Sequence, residues 1–386
     1  METEKIIEME KEYIMQTYSR SNIVIEHGKG CYAFDNDGKK YLDLVAGIAT
    51  CSIGHGNEEV SKAVCEQSKK LLNVTNLYYT EPQVILAKKL VKLSSLSKCF
   101  FCNSGAEANE SAIKLARKYT GKTDIIATKN AFHGRTFGAL SATWKEKFRK
   151  KFMPLVPGFT FVDYNKVEAV EDAITEKTAA VIVEPIQGES GIIIPSEDYL
   201  MKLKKLCEEK NVLLILDEIQ TGTGRTGKFF AYLYYDIKPD IVTLAKGLAN
   251  GIPIGVMIAK EGIDFDKSDH GSTFGGNNLS CAAANAVIDF ILDNKLMENA
   301  AKQGNYFIKK LNQLKNKGNT IKEARGKGLM IGVELNIEAK EIQNKCLEKG
   351  LLVNCASDNV LRFLPSLIIT KKEIDAAIKI LDEALE

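Results

Sequence analysis

Short runs of apolar and β-branched residues recur through the middle of the chain, separated by stretches with helical spacing. The runs are Lys98–Cys102, Ile125–Thr128, Phe159–Val162, Ala179–Val183, Val212–Leu216, Ile241–Leu244 and Ile254–Ala259. Several are apolar almost throughout, as in strands covered on both faces. Between two of them, Ala108, Ala112, Leu115 and Tyr119 step by four, three and four, which predicts one apolar helix face ended by Gly121. Strand and helix alternating in this way predict an α/β fold with a largely parallel sheet. From Asn278 the texture changes to a long helical stretch through Ala301, then fewer strands, among them Leu329–Leu335 and Val360–Phe363. A boundary is placed near residue 276. Residues 1–50, with a turn at Asp35–Gly38, are read as a segment that packs with the C-terminal part 277–386, leaving 51–276 as the large domain.

Composition narrows the classes. The chain has 386 residues, 45% hydrophobic and 26% charged, within the range of ordinary globular proteins and long enough for about two or three domains. Its 52 Lys and Arg nearly balance 50 Asp and Glu, for a net charge of +2. That leaves no electrostatic footprint for nucleic acid or an anionic membrane, and neither is expected as a partner. Nine cysteines without regular spacing fit a reducing compartment better than a disulfide framework. The first residues, METEKIIEMEKEYIMQ, alternate charged and apolar positions instead of forming a signal-peptide core. No stretch approaches the roughly 18 apolar residues of a membrane span, and a cytoplasmic protein is expected. There is no internal repeat, and the basic run Lys309–Lys317 is read as a solvated helix face.

Two short motifs are read as coincidences. Gly222-Thr-Gly-Arg-Thr-Gly227 fits G-x-G-x-x-G, but Asp217–Thr221 separate it from the preceding strand, and an aromatic run follows it. Cys99 and Cys102 fit C-x-x-C, yet both lie in one apolar run with no second pair at zinc spacing. His27, His55, His133 and His270 are scattered, and no metal site is expected.

Ligands of open α/β sheets collect at the carboxyl ends of the strands, so the residues just after the runs matter most. Asn103-Ser-Gly-Ala-Glu-Ala-Asn109 follows a run and opens a helix. Ser104 and Glu107 match a capping box, which alone explains both. Gly105 and Ala106 also leave first-turn N–H groups uncrowded, as a phosphate at a helix N-terminus requires. Asp217 ends an apolar run, where a carboxylate needs a partner such as a protonated heterocyclic nitrogen. Lys246 stands just past another run, where partial burial can turn a lysine into an imine-forming amine. Phe132 and Arg135 follow Ile125–Thr128; an aromatic face stacks on flat rings, and an arginine grips carboxylates bidentately. Taken singly, each is more often a surface or ion-paired residue. Taken together they supply what pyridoxal phosphate requires: a phosphate cradle, an acid for the ring nitrogen, a Schiff-base lysine and a stacking ring.

On these features the chain resembles the class III aminotransferases of the fold-type I pyridoxal-phosphate superfamily, and within them the acetylornithine group. The motifs are NLYYTEPQ (76–83), NSGAEANE (103–110), AFHGRT (131–136), VEPIQGE (183–189), LDEIQTGTGRTG (216–227), LAKGL (244–248), GSTFGGN (271–277), RGKGLMIGVEL (325–335) and NVLRFLP (359–365). The resemblance runs from about Tyr18 to the C-terminus. It implies a large domain with a mostly parallel central sheet, plus a smaller α+β domain from the N- and C-terminal segments. It also implies pyridoxal 5′-phosphate as cofactor and a homodimer with shared active sites.

Residue roles are carried over by the same resemblance. Lys246 would attach the cofactor and shuttle a proton, Asp217 would pair with the ring N–H, and Gln220 would bond the ring hydroxyl. Gly105 and Ala106 would bind the phosphate, with Thr273 reaching the phosphate of the neighbouring subunit, and Phe132 would cover the ring. Arg135 would bind the substrate carboxylate, and Ser272 would contribute to the substrate pocket. Glu189 would screen Arg362 until a carboxylate of glutamate displaces it. The implied reaction is N2-acetyl-L-ornithine with 2-oxoglutarate, giving N-acetyl-L-glutamate 5-semialdehyde and L-glutamate, in arginine biosynthesis. Ornithine, succinyldiaminopimelate and 4-aminobutyrate are the alternative donors, and a non-catalytic cofactor-binding regulator is the remote alternative. Ile48 stands where the ornithine enzymes carry a tyrosine, which suits an acylated α-nitrogen better than a free ammonium. Asn57-Glu58, Asn278 and Ser366 depart from the family pattern, which usually has His-Pro, Pro and Pro there.

Overall fold

The computed structural model describes residues 1–386. The N-terminal part is a meander of β1 (Ile25–Lys29), β2 (Tyr32–Asp35) and β3 (Lys40–Asp43), with Gly38 at φ 81 in the turn between the last two. Seven strands follow: β4 (Lys98–Cys102), β5 (Asp124–Thr128), β6 (Phe159–Val162), β7 (Thr178–Val183), β8 (Leu213–Asp217), β9 (Ile241–Leu244) and β10 (Gly255–Ala259). They form one sheet in the order β4-β10-β9-β8-β7-β5-β6, in which β10 alone runs against its neighbours. All six positions of β7 are buried, as the unbroken apolar run predicts for a strand covered on both faces. The C-terminal part adds β11 (Ile321–Lys327), β12 (Met330–Leu335), β13 (Leu351–Leu352), β14 (Asn354–Ser357) and β15 (Val360–Phe363). Four of these form a sheet in the order β11-β12-β15-β14, while β13 pairs in parallel with β3. The first fifty residues and the last hundred therefore share a sheet.

The helix Gly105–Thr120 packs across β4, β7, β9 and β10. Ala108, Ala112 and Leu115 are buried as the spacing predicts, and Gly121 caps the helix at φ 68. Tyr119, in the last turn, is half exposed, so the apolar face ends one turn early. The expected helical stretch 278–301 is two helices, Asn278–Asp293 and Leu296–Lys315, broken where Lys295 adopts φ 50. The first packs on helices Glu58–Lys70 and Glu81–Ser94. A contiguous core of 63 buried apolar residues reaches from Cys31 to Ala384 and so joins the parts into one body.

The glycine-rich stretch 222–227 is structural. Its Arg225 is buried, donates to the carbonyls of Leu329 and Pro365, and is lowered by desolvation to a pKa of about 9. Two departures from the family pattern fall at the first residue of a helix, where proline is favoured. Here asparagine caps take over: the Asn57 side chain accepts from the amides of Glu59 and Val60, and Asn277 from that of Ser280. No helix is long and apolar enough to cross a membrane.

Candidate active site

The carboxyl ends of β4, β5, β7, β8 and β9 deliver one short segment each to a cavity of about 450 Å³. After β4, Ser104 caps the helix, its hydroxyl accepting from the Glu107 amide at 3.2 Å. The second half of the capping box does not form. The Glu107 carboxylate instead accepts from the Asn103 amide and side chain, both at 2.9 Å. Gly105 and Ala106 line the cavity, and their first-turn amides have no intrahelical acceptor. A Cβ on Gly105 would lie 2.8 Å from the Ile219 side chain, so glycine is needed for the two loops to close.

Asp217 ends β8 and is 3% exposed. One carboxylate oxygen accepts from His133 Nδ1 at 2.7 Å and from Asn109 Nδ2 at 2.8 Å; the other accepts from the Ile219 amide at 3.0 Å. Asn109 Oδ1 accepts in turn from the Thr243 hydroxyl at 2.8 Å. Three donors offset the cost of burying this carboxylate, and acceptor capacity remains on the cavity side. His133, Asn109 and Thr243 escaped the sequence reading. Asn109 carried a signal, being a polar residue on the buried helix face that includes Ala112 and Ala116.

Lys246 follows β9 at φ 42. A left-handed backbone costs a residue with a β-carbon about 1–3 kcal/mol, and such strain clusters at functional sites. The residue is half-buried and lines the cavity. Desolvation lowers its pKa below the ordinary lysine value, against the opposing pull of the Glu189 carboxylate.

The turn after β5 brings Phe132 and Arg135 to the wall. Beyond β7, Glu184 is buried and accepts from the amides of Phe132 and Gly188, both at 3.0 Å. Burial raises its pKa, opposed by His133 and reinforced by Asp217. Glu189 Oε1 lies 2.5 Å from Nη1 of Arg362, which enters from β15 and is 1% exposed. Gln220 joins this pair, accepting from Arg362 at 3.2 Å and donating to Glu189 at 3.4 Å. Burial alone would raise the Glu189 carboxyl, but Arg362 and Lys246 together hold it below its ordinary value. A Cβ on Gly188 would stand 2.1 Å from Gln220 Oε1, so a larger residue there would push the Gln220 amide off this pair.

Ser272 and Thr273 lie outside the cavity of their own chain. The Ser272 hydroxyl accepts from the Gly275 amide at 3.0 Å and from the Asn103 side chain at 3.2 Å, while Thr273 is exposed.

The family profile described as Aminotransferase class-III matches residues 13–385. The chain belongs to the class III aminotransferases. It is 51% identical to the acetylornithine aminotransferase of Methanocaldococcus jannaschii, over 99% of this chain and 98% of that one. With the acetylornithine aminotransferase of Aquifex aeolicus the identity is 49%, over 97% and 100%. Among solved structures, the ornithine aminotransferase of Toxoplasma gondii superposes with a TM-score of 0.96 at 34% identity, covering all of this chain and 95% of the other. The acetylornithine aminotransferase of Elizabethkingia anophelis superposes at 0.90 with 33% identity, covering 100% and 99%.

A class III aminotransferase acts on small-molecule amines and keto acids with pyridoxal phosphate. The residues of this aminotransferase fit that cofactor on their own geometry. Free first-turn amides at Gly105 suit a phosphate, and Asp217 turns remaining acceptor capacity toward the cavity. Lys246 brings a desolvated amine to the same space.

Proposed function

We propose that this enzyme transfers the terminal amino group of N2-acetyl-L-ornithine to 2-oxoglutarate, giving N-acetyl-L-glutamate 5-semialdehyde and L-glutamate, a step of arginine biosynthesis. The observation that carries this reading is the unequal state of two arginines. Arg135 is exposed to the cavity, whereas Arg362 is neutralised by Glu189. One free grip suits a substrate with a single carboxylate far from its reacting amine. A masked second grip suits a dicarboxylate that arrives later and displaces Glu189. The curated relatives named acetylornithine aminotransferase, 46–51% identical, support the same choice, as does the apolar Ile48.

Bound pyridoxal phosphate supplies an electrophilic carbonyl and an electron-accepting ring. Lys246 would hold it and would move the proton at the substrate's amine-bearing carbon, a role that a lowered pKa favours. Asp217 would hold the proton on the ring nitrogen, Phe132 would cover the ring and Gln220 would bond its hydroxyl. Gly105 and Ala106 would bind the phosphate, and Ser272, outside the cavity of its own chain, would contribute to the substrate pocket across the subunit interface. Two half-reactions on one site imply ping-pong kinetics.

Glutamate formation from 2-oxoglutarate, measured with acetylornithine, succinyldiaminopimelate, ornithine and 4-aminobutyrate, tests the reading. Acetylornithine should show the highest kcat/KM, and a tenfold preference for ornithine or 4-aminobutyrate would overturn it.

The reading extends to a homodimer. Leu77, Tyr78, Tyr79 and Phe274 are exposed beside Thr273, and Asn76 Nδ2 laces the two loops by donating to the carbonyls of Ser272 and Gly275. An apolar surface of this kind marks an interface, across which Thr273 reaches the neighbouring phosphate. Sedimentation should give twice 42.6 kDa; a monomer with full activity contradicts the shared site. Residues 51–276 are assigned to the large domain, and 1–50 with 277–386 to the small one. Such an enzyme belongs in the cytoplasm.

A further inference from the structure

We propose that Phe148 is a positioning residue that sets substrate specificity, by holding the Arg135 guanidinium face-on so that its N–H donors stay free for a distal carboxylate. The proposal rests on the reading of Arg135 as the substrate-carboxylate grip.

Arg135 borders the cavity and makes no hydrogen bond or ion pair within the chain. Its protein partners are aromatic: Cζ stands 3.8 Å from the Phe148 ring centroid and 5.6 Å from that of Phe132. Stacking occupies the guanidinium face and leaves the donor-bearing edge open, which is the geometry a bidentate carboxylate needs. A long flexible side chain would otherwise lose freedom on binding, and the stack imposes that order beforehand.

Phe148 is itself held. Its ring meets Phe132 edge to face, with centroids 6.0 Å apart and planes at 85°. Its amide donates to the Lys145 carbonyl at 3.0 Å. Lys145 Nζ in turn donates to the main-chain oxygens of Glu189 at 3.0 Å and Ala356 at 3.5 Å. Trp144, one residue earlier, donates its amide to the Ala131 carbonyl at 2.9 Å. The start of the segment, at Trp144 and Lys145, is thus tied both to the Phe132 turn and to the Glu189 loop. Phe148 therefore couples the wall of the cofactor cavity to the arginine that reads the substrate.

Phe148→Leu keeps apolar bulk but removes the aromatic face, and Phe148→Tyr keeps that face. In Phe148→Leu the KM for acetylornithine should rise about tenfold, with a much smaller change in kcat. The tyrosine variant should stay within about twofold of the unmodified enzyme. The kcat/KM for 1,4-diaminobutane, which lacks the carboxylate, should change several-fold less than that for acetylornithine. Three results would each overturn the proposal: an unchanged KM for acetylornithine in Phe148→Leu, equal losses for both amines, or no rescue by tyrosine. If acetylornithine is not the preferred donor, the same contrast is read with whichever carboxylate-bearing amine reacts fastest, so the two failures remain distinct.

Discussion

Asp217 commits acceptor sites on both oxygens to His133, Asn109 and the Ile219 amide before any ligand arrives. That pins the carboxylate in one orientation, which is the condition for electrostatic stabilisation without reorganisation. Asp217→Asn retains the shape and loses the charge, and it sets an amide against two donors. We expect kcat to fall about 10²–10⁴-fold with the cofactor still bound; visible absorbance and turnover on one sample check this, and near-normal turnover would show that the carboxylate serves folding alone. The Glu189–Arg362 pair makes a different prediction. Losing a charge-assisted contact costs about 1.5–3 kcal/mol. Arg362→Ala should therefore slow the glutamate half-reaction about tenfold or more beyond any effect on the acetylornithine half. Glu189→Gln, which keeps an acceptor for the Arg362 guanidinium but removes the charge that neutralises it, should speed glutamate relative to acetylornithine. Single-turnover rates of both halves decide; equal factors in each variant mean there is no gate.

At the scale of elements, the apolar runs were legible because β5, β7, β8 and β9 are buried on nearly every position. Burial on both faces writes itself into composition, residue by residue. The strands that escaped notice, β1, β2, β3, β11, β13 and β14, each have exposed or partly exposed positions and no such run. Helix starts were half legible. The Ser104 cap was foreseen, whereas Asn57 looked like a departure until its side chain was found capping the helix it precedes. Asn57→Ala should lower stability by about 1 kcal/mol, and Asn57→Asp should cost almost nothing, since aspartate caps equally well. Denaturant titration of the three proteins reads this; an equal loss in both variants would mean the cap is incidental.

At the scale of the molecule, buried carboxyls link stability to pH. Glu218 is wholly buried beside the site, accepts from Thr221 Oγ1 and the Tyr232 amide, and is pushed up by desolvation to about 7. Its folded pKa exceeds the unfolded one, so its contribution is complete below about pH 4.5 and disappears as pH rises through about 7. Glu218→Gln carries no such dependence. The variant should gain stability relative to the unmodified protein between pH 5 and pH 8, by on the order of 2 kcal/mol. Melting temperatures of the pair at both pH values check the sign, and a constant difference would show that Glu218 does not titrate in this range.

The sequence alone determined the largely parallel α/β sheet, the strand ends on which Gly105, Phe132, Arg135, Asp217 and Lys246 fall, and the family. These follow from local composition and from motifs that are contiguous in the chain. The tertiary structure decided what those residues touch. His133 reaches Asp217 across 84 residues, and Arg362 reaches Glu189 across 173. The left-handed backbone at Lys246, the raised carboxyl of Glu184 and the stack of Phe148 on Arg135 likewise have no local signature. Pairing and pKa depend on separations of a few ångströms and on desolvation. Both are set only when the strand order β4-β10-β9-β8-β7-β5-β6 and the approach of β15 bring distant segments to one cavity.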